Sequence, residues 1–160
     1  MRSASAVASL GLVVGIVVLG AITYVLVVPQ TAGCTLAGQV ETEVELTGGE
    51  FDTQFGFGNA TVPVGSPGPE LRLKRESLTR VTFRNEGQIP HTFRVVAERK
   101  FDAPALFGGC AEIGTPSSPL APGREARVTF DPDRTGTFTY ICAVPGHLDR
   151  GMFGSVTVEP

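Results

Sequence analysis

Near its end the chain reads Tyr140-Ile-Cys142-Ala-Val-Pro-Gly-His147-Leu-Asp-Arg-Gly-Met152. This stretch holds one thiol, one imidazole and one thioether, with four residues between each side chain and the next. The chain has only one other histidine, His91, at the start of a strand-like run. Two nitrogens, one thiolate and one thioether are therefore available to a single metal ion.

The softness of these donors favours copper. A thiolate and a thioether suit Cu(I), imidazoles suit either oxidation state, and two nitrogens with one thiolate and a weak axial thioether form the donor set of blue-copper sites. Zinc also takes Cys and His, but its sites usually show closely spaced Cys or His pairs, which this sequence lacks. The sequence therefore predicts one copper ion held by His91, Cys142, His147 and, axially, Met152.

Strand parity agrees with a buried site, because side chains along a strand point alternately to opposite faces. Cys142, His91 and Met152 each have the parity of an apolar stripe. The stripes are Phe138, Tyr140 and Cys142; His91, Phe93 and Val95; and Met152, Val156 and Val158. We expect the metal to lie at one end of a β-sandwich, under a loop.

These segments resemble those of cupredoxins, the small blue-copper proteins. The resemblance covers about Val40 to Pro160 and rests on Asn85–Phe93 and Tyr140–Met152, with a loop spacing most similar to the auracyanin and rusticyanin type. It implies a Greek-key β-sandwich with the two histidines and the cysteine in a near plane around copper and the methionine axial. It also implies that Thr92, where Asn or Ser is frequent, connects the two ligand loops by a hydrogen bond.

The rest of the domain alternates as strands do. Val40–Leu46, Leu71–Lys74, Val81–Arg84 and Arg127–Phe130 carry polar residues at every second position, and Glu41, Glu43 and Glu45 are expected on a solvated face. About seven short strands rich in Gly and Pro turns predict an all-β, antiparallel sandwich. Residues 48–69 and 101–123 interrupt the pattern, the second with room for a short helix, and no role is assigned to either.

The N-terminal segment predicts attachment to a membrane. Leu10–Val28 is uncharged over nineteen residues, close to the ~20 that cross a bilayer as a helix. We expect residues 1–33 to form an anchor and linker, and residues 34–160 to form the domain on the extracytoplasmic side. Two alternatives stay open, a lipid on Cys34 after Thr31-Ala-Gly33 and simple signal cleavage.

Two cysteines remain after Cys142 is assigned to metal. Cys34 and Cys110 could pair in an oxidising compartment, or Cys34 could carry a lipid while Cys110 stays a thiol. The sequence leaves both open, because it does not supply the Cα separation that a bridge requires.

The expected function is transfer of single electrons between redox partners. Four protein ligands and no further histidine leave no open position for substrate, so no enzymatic activity is expected. Electrons would pass through His147, which the family places at the surface, and partners would dock on an apolar patch that could also be simple packing. The patch consists of Ile89, Pro90, Val144, Pro145, Leu148 and Phe153.

Charge and ligand count bear on the rival functions. After Arg2 is set aside, twelve basic and sixteen acidic residues give 12 − 16 = −4, which argues against nucleic-acid binding and favours a basic partner. An oxidase or nitrite reductase would need further histidines. A copper chaperone or storage protein, or a β-sandwich without redox chemistry, remains the alternative.

Overall fold

The computed structural model describes residues 14–19, 22–27, 34, 36 and 38–160. The chain divides into two compact units, Met1–Ala32 and Gly33–Pro160. In the first unit, β1 (Val14–Leu19) pairs antiparallel with β2 (Ile22–Val27). The second unit contains the remaining nine strands.

The apolar run Leu10–Val28 has both ends and its centre outside the described residues, and its described residues are those of β1 and β2. The expectation that the run crosses a membrane as one helix therefore stays a prediction. Among the residues that the structure describes, no helix is long and apolar enough to span a bilayer.

The second unit is built from two sheets of short strands. Its strands are β3 (Thr42–Phe51), β4 (Gln54–Gly58), β5 (Leu71–Lys74), β6 (Thr79–Asn85), β7 (Phe93–Val96), β8 (Glu112–Ile113), β9 (Glu125–Phe130), β10 (Gly136–Ile141) and β11 (Phe153–Glu159). One sheet has the order β5-β11-β10-β7-β8 and the other β4-β3-β6-β9. The prediction of an all-β domain is confirmed, and residues 101–123 contain β8 rather than a helix.

The expectation of a purely antiparallel sandwich is wrong at two pairings. β3 runs parallel to β6, and β5 runs parallel to β11. Parallel neighbours need a long connection between them, and the chain supplies it between β3 and β6 by forming β4 and then crossing to β5 in the other sheet. Alternation of polar and apolar residues does not encode strand direction, so the sequence pattern could not show this.

Aromatic rings fill the interior. Phe57, Phe83, Phe93 and Tyr140 are completely buried, and the Phe57 ring lies 4.9 Å from that of Tyr140 and 5.8 Å from that of Phe83, between centroids. The Tyr140 hydroxyl donates a hydrogen bond to the Pro69 carbonyl at 2.6 Å. Each buried ring contributes about 1.5–3 kcal/mol by its removal from water. All the apolar residues of the three predicted stripes belong to this core or pack against it.

Cys34 and Cys110 form a disulfide with their Cα atoms 5.3 Å apart. A sulfur atom in a disulfide cannot also carry a thioether-linked lipid, so the structure favours the bridge over lipidation of Cys34. The bridge closes a loop of 76 residues. It joins the beginning of the second unit to the segment between β7 and β8.

We predict that the free energy of unfolding of the double variant Cys34→Ser/Cys110→Ser is about 2–4 kcal/mol lower than that of the oxidised wild type. The reason is that the disulfide restricts the conformations of the unfolded chain, and the variant lacks this restriction. The measurement is urea unfolding followed by circular dichroism. The wild-type chain in excess reductant is the control and should unfold like the variant. Equal midpoints for the variant and the oxidised wild type would contradict the prediction.

Candidate metal centre

His91 lies just before β7, and both its backbone N–H and its carbonyl are hydrogen-bonded to one residue, Leu120. Its N–H donates to the Leu120 carbonyl at 3.1 Å, and its carbonyl accepts from the Leu120 N–H at 2.8 Å. The buried Asn85 amide donates to the carbonyls of Ile89 and Leu120, both at 2.9 Å, and accepts from the Gly87 N–H at 2.9 Å. The segment 101–123, to which the sequence assigned no role, therefore positions this histidine.

The other candidate ligands lie on a loop between β10 and β11 that is closed by its own backbone. Cys142 N–H donates to the Met152 carbonyl at 3.1 Å, and Met152 N–H donates to the His147 carbonyl at 3.0 Å. The His147 N–H donates to the Val144 carbonyl at 3.1 Å. These bonds hold the three candidate ligands of the loop in place.

Three donor atoms meet at this end of the domain. Nδ1 of His91 lies 3.1 Å from Nδ1 of His147, and the latter lies 3.4 Å from Sγ of Cys142. The ligand atoms of all three residues lie within 4.8 Å of one another. Met152 is completely buried beside β3, since a Cβ on Gly48 would lie 2.9 Å from its terminal methyl carbon. Two imidazoles and one thiol at such separations, with a thioether in the same loop, fit a soft cation such as copper.

Burial keeps the imidazoles neutral and ready to bind a cation. It lowers the pKa of His147 to about 4, aided by the nearby His91 and by the Arg150 charge. Burial also lowers the pKa of His91, against the opposing charge of Glu50. The pKa of the Cys142 thiol is raised by burial, which hydrogen bonds from Thr92 and Val144 oppose. The thiol is therefore protonated without metal, and a bound cation would release its proton.

Thr92 connects the two ligand segments. Its hydroxyl accepts a hydrogen bond from the Ala143 N–H at 2.7 Å and donates to Cys142 Sγ at 3.7 Å. Its backbone N–H also donates to that sulfur, at 3.3 Å. The link that the resemblance implied is confirmed, and threonine makes it in place of Asn or Ser.

Phe55 covers His147. The centroids of the two rings lie 4.3 Å apart at an angle of 30°, and the Arg150 guanidinium carbon lies 4.2 Å from the centroid of the Phe55 ring. Only 7% of His147 is exposed, so the expectation of a surface histidine is corrected to one that is nearly covered. Phe55 lies in the interrupted segment 48–69, where the alternation Phe55-Gly-Phe57 was the only sign of a strand.

Comparison with protein families agrees with this donor set. The model of the copper binding proteins of the plastocyanin/azurin family matches residues 72–159. Auracyanin-A of Chloroflexus aurantiacus is 32% identical over an alignment of 126 residues, which covers 65% of this chain and 77% of auracyanin-A.

Larger copper proteins match over part of their length. The copper-containing nitrite reductase of Alcaligenes xylosoxydans xylosoxydans is 33% identical over an alignment of 100 residues, which covers 59% of this chain but only 27% of the reductase. Among solved structures, reduced auracyanin from Roseiflexus castenholzii has a TM-score of 0.56 at 20% identity, covering 76% of this chain and 100% of that protein. This last likeness shows the fold.

We predict that Thr92→Val lowers the free energy of unfolding of the metal-free protein by about 1–3 kcal/mol, because the buried Ala143 N–H loses its acceptor. Thr92→Ser is the matched control, since it keeps the hydroxyl, and it should retain most of the stability. Urea unfolding of the three proteins measures the effect. If the Thr92→Val and Thr92→Ser variants were equally stable, the hydroxyl would not be the group that connects the two ligand segments.

Proposed function

The chain belongs to the plastocyanin/azurin family of copper-binding proteins, and from this we propose that it carries single electrons between redox partners through one type 1 copper site. The resemblance to cupredoxins is confirmed. The observation that carries the proposal is the buried group of His91, Cys142 and His147, whose donor atoms lie within 4.8 Å of one another.

Each residue has a distinct part in the proposed site. His91 and His147 would bind through Nδ1, the nitrogens that face each other, Cys142 would bind as a thiolate, and Met152 would supply a thioether as the fourth donor. Bound copper would supply a one-electron couple between Cu(I) and Cu(II). Backbone hydrogen bonds and the hydrogen bonds of Thr92 keep the donor atoms in place. The ligands would therefore move little when the charge of the copper changes by one electron.

A carrier fits these residues better than an enzyme does. The chain has two histidines, and both lie in the one site, so none is left for a second centre. Nitrite reductases are among the relatives, but the matched region is about a quarter of their length. Catalysis on a substrate needs an open coordination position, and the four proposed ligands leave none.

Redox partners would dock on the protein surface that lies over His147. The patch predicted from the sequence lies in the two ligand segments: Ile89 is 37% exposed, Pro90 and Pro145 are also exposed, and Phe153 is partly buried. The Arg99 guanidinium lies 4.3 Å from the centroid of the Phe153 ring. An apolar surface close to the site would let a partner approach with little water between them.

The proposed location is the outer side of the cytoplasmic membrane, with residues 1–33 as the attachment. Two observations support it. The run Leu10–Val28 is uncharged, and the disulfide between Cys34 and Cys110 is typical of oxidising compartments outside the cytosol.

The proposed function predicts an intense visible thiolate-to-copper absorption band after one equivalent of Cu(II) is added, bleached by ascorbate and restored on oxidation. Cys142→Ser should abolish the band because no thiolate remains. Met152→Leu should keep the band and raise the reduction potential, because a thioether donor to Cu(II) is lost. A colourless wild-type product in a folded protein would instead favour a zinc, storage or structural role.

Docking at the patch can be tested without a partner by electron self-exchange between reduced and oxidised copies. We predict that Ile89→Glu slows self-exchange by about tenfold, because two like charges meet when the patches face each other. Val62→Glu is the matched control, since Val62 is 41% exposed outside the ligand segments, and it should leave the rate unchanged. NMR line broadening measures both rates, and an equal effect of the two variants would argue against the patch.

A further inference from the structure

A carboxylate outside the predicted ligand set faces the far side of His91. Glu50 lies near the end of β3, and its two oxygens accept hydrogen bonds from the N–H groups of Gln88 at 2.8 Å and Ile89 at 3.2 Å. One of these oxygens, Oε1, lies 3.5 Å from Nε2 of His91. The side chain of Glu50 is 27% exposed and that of His91 is fully buried. Local sequence patterns could not show this contact, because Glu50 and His91 are 41 positions apart in the chain.

Nε2 of His91 has no hydrogen bond of ordinary geometry, although it is completely buried. The Glu50 oxygen at 3.5 Å lies at the outer limit of such a bond and within reach of an ionic contact. A buried polar group without a partner is costly. Nδ1 of His91 faces Nδ1 of His147 at 3.1 Å, and a neutral imidazole whose Nδ1 is to bind metal carries its proton at Nε2.

Gly87 makes this approach sterically feasible. A Cβ on Gly87 would lie 2.5 Å from Oε2 of Glu50 and 2.9 Å from Nε2 of His91. Any other residue at position 87 would therefore require the Glu50 carboxylate or the His91 ring to shift. The absence of a side chain at position 87 leaves room for the carboxylate and the ring to lie close together.

We propose that Glu50 is a positioning residue that keeps the proton of His91 on Nε2, leaves Nδ1 free to bind metal, and lowers the reduction potential of the site. The inference deepens the proposed function and rests on it. A carboxylate behind a metal-binding histidine orients the ring and makes it a stronger donor. Its negative charge stabilises Cu(II) more than Cu(I), because the charge on the metal is larger in the oxidised state.

The charge state of Glu50 agrees with this role. Burial acts to raise its pKa, but hydrogen bonds from backbone N–H groups, including those of Gln88 and Ile89, outweigh burial and lower the pKa below its usual value. The carboxylate is therefore ionised at neutral pH. The same hydrogen bonds tie β3 to the segment that carries His91.

The first test uses the metal-free full-length chain and ¹⁵N NMR of its two imidazoles. We expect the neutral His91 ring to carry its proton on Nε2 in the wild type and in Glu50→Gln, whose amide oxygen can still accept. In Glu50→Leu the proton should redistribute between the two nitrogens. A wild-type ring protonated on Nδ1, or an unchanged ring in Glu50→Leu, would overturn the proposal.

The second test measures the affinities for Cu(I) and Cu(II). In Glu50→Gln we expect the affinity for Cu(II) relative to Cu(I) to fall about tenfold, which raises the potential by 59 mV for one electron. Glu45→Gln is the matched control, because Glu45 lies on the same strand, is exposed and lies five residues before Glu50 along β3, roughly 17 Å from it. Equal ratios in the two variants would overturn the proposal.

The two tests separate this inference from the proposed function. If the wild-type chain formed a blue site and Glu50→Gln behaved like Glu45→Gln, the carrier function would stand and the role of Glu50 would fall. If the wild type formed no blue site, the carrier function would fall, and the NMR of the metal-free protein would still decide which nitrogen of His91 holds the proton.

Discussion

The hydrogen bonds of Thr92 hold together the two segments that carry the candidate ligands. In the pairing of β7 with β10, Ile141 lies opposite Arg94, so the same register continued would place Ala143 opposite Thr92. There the side-chain hydroxyl, not the backbone carbonyl, accepts the Ala143 N–H. The hydrogen-bond ladder between β7 and β10 therefore ends at the Thr92 side chain, which also donates to Cys142 Sγ. The positions of the Cys142 sulfur and of the neighbouring His91 imidazole depend on this link.

Glycines next to the centre determine how closely the strands can surround it. A Cβ on Gly48 would lie 2.7 Å from the Phe83 ring and 2.9 Å from the methyl carbon of Met152, so neither side chain could keep its place. Gly87 has the same effect between Glu50 and His91. Because these two positions have no side chain, the neighbouring backbone lies close to the site. Larger residues there would force the surrounding groups apart, and the close packing keeps water away from the donor atoms.

The sequence predicted the parts of the site that are close along the chain. Cys142, His147 and Met152 fall in one loop, and strand parity placed Cys142, Met152 and His91 on inward faces that the structure shows to be buried. Phe55 and Glu50 come from a distant hairpin, and their contacts depend on which strands are neighbours. Neighbour relations and the parallel pairing of β3 with β6 are set by crossovers between sheets, which leave no periodic signal in the sequence.

The disulfide has a consequence for how the chain matures. Three cysteines allow three pairings, Cys34 with Cys110, Cys34 with Cys142 and Cys110 with Cys142, and only the first leaves a thiol at the metal centre. Cys142 is completely buried once the sheets have formed, so folding itself removes it from thiol exchange. Oxidation that precedes burial would consume the thiol in the wrong bridge. The order of folding and oxidation therefore determines what fraction of newly made chains can ever take up metal.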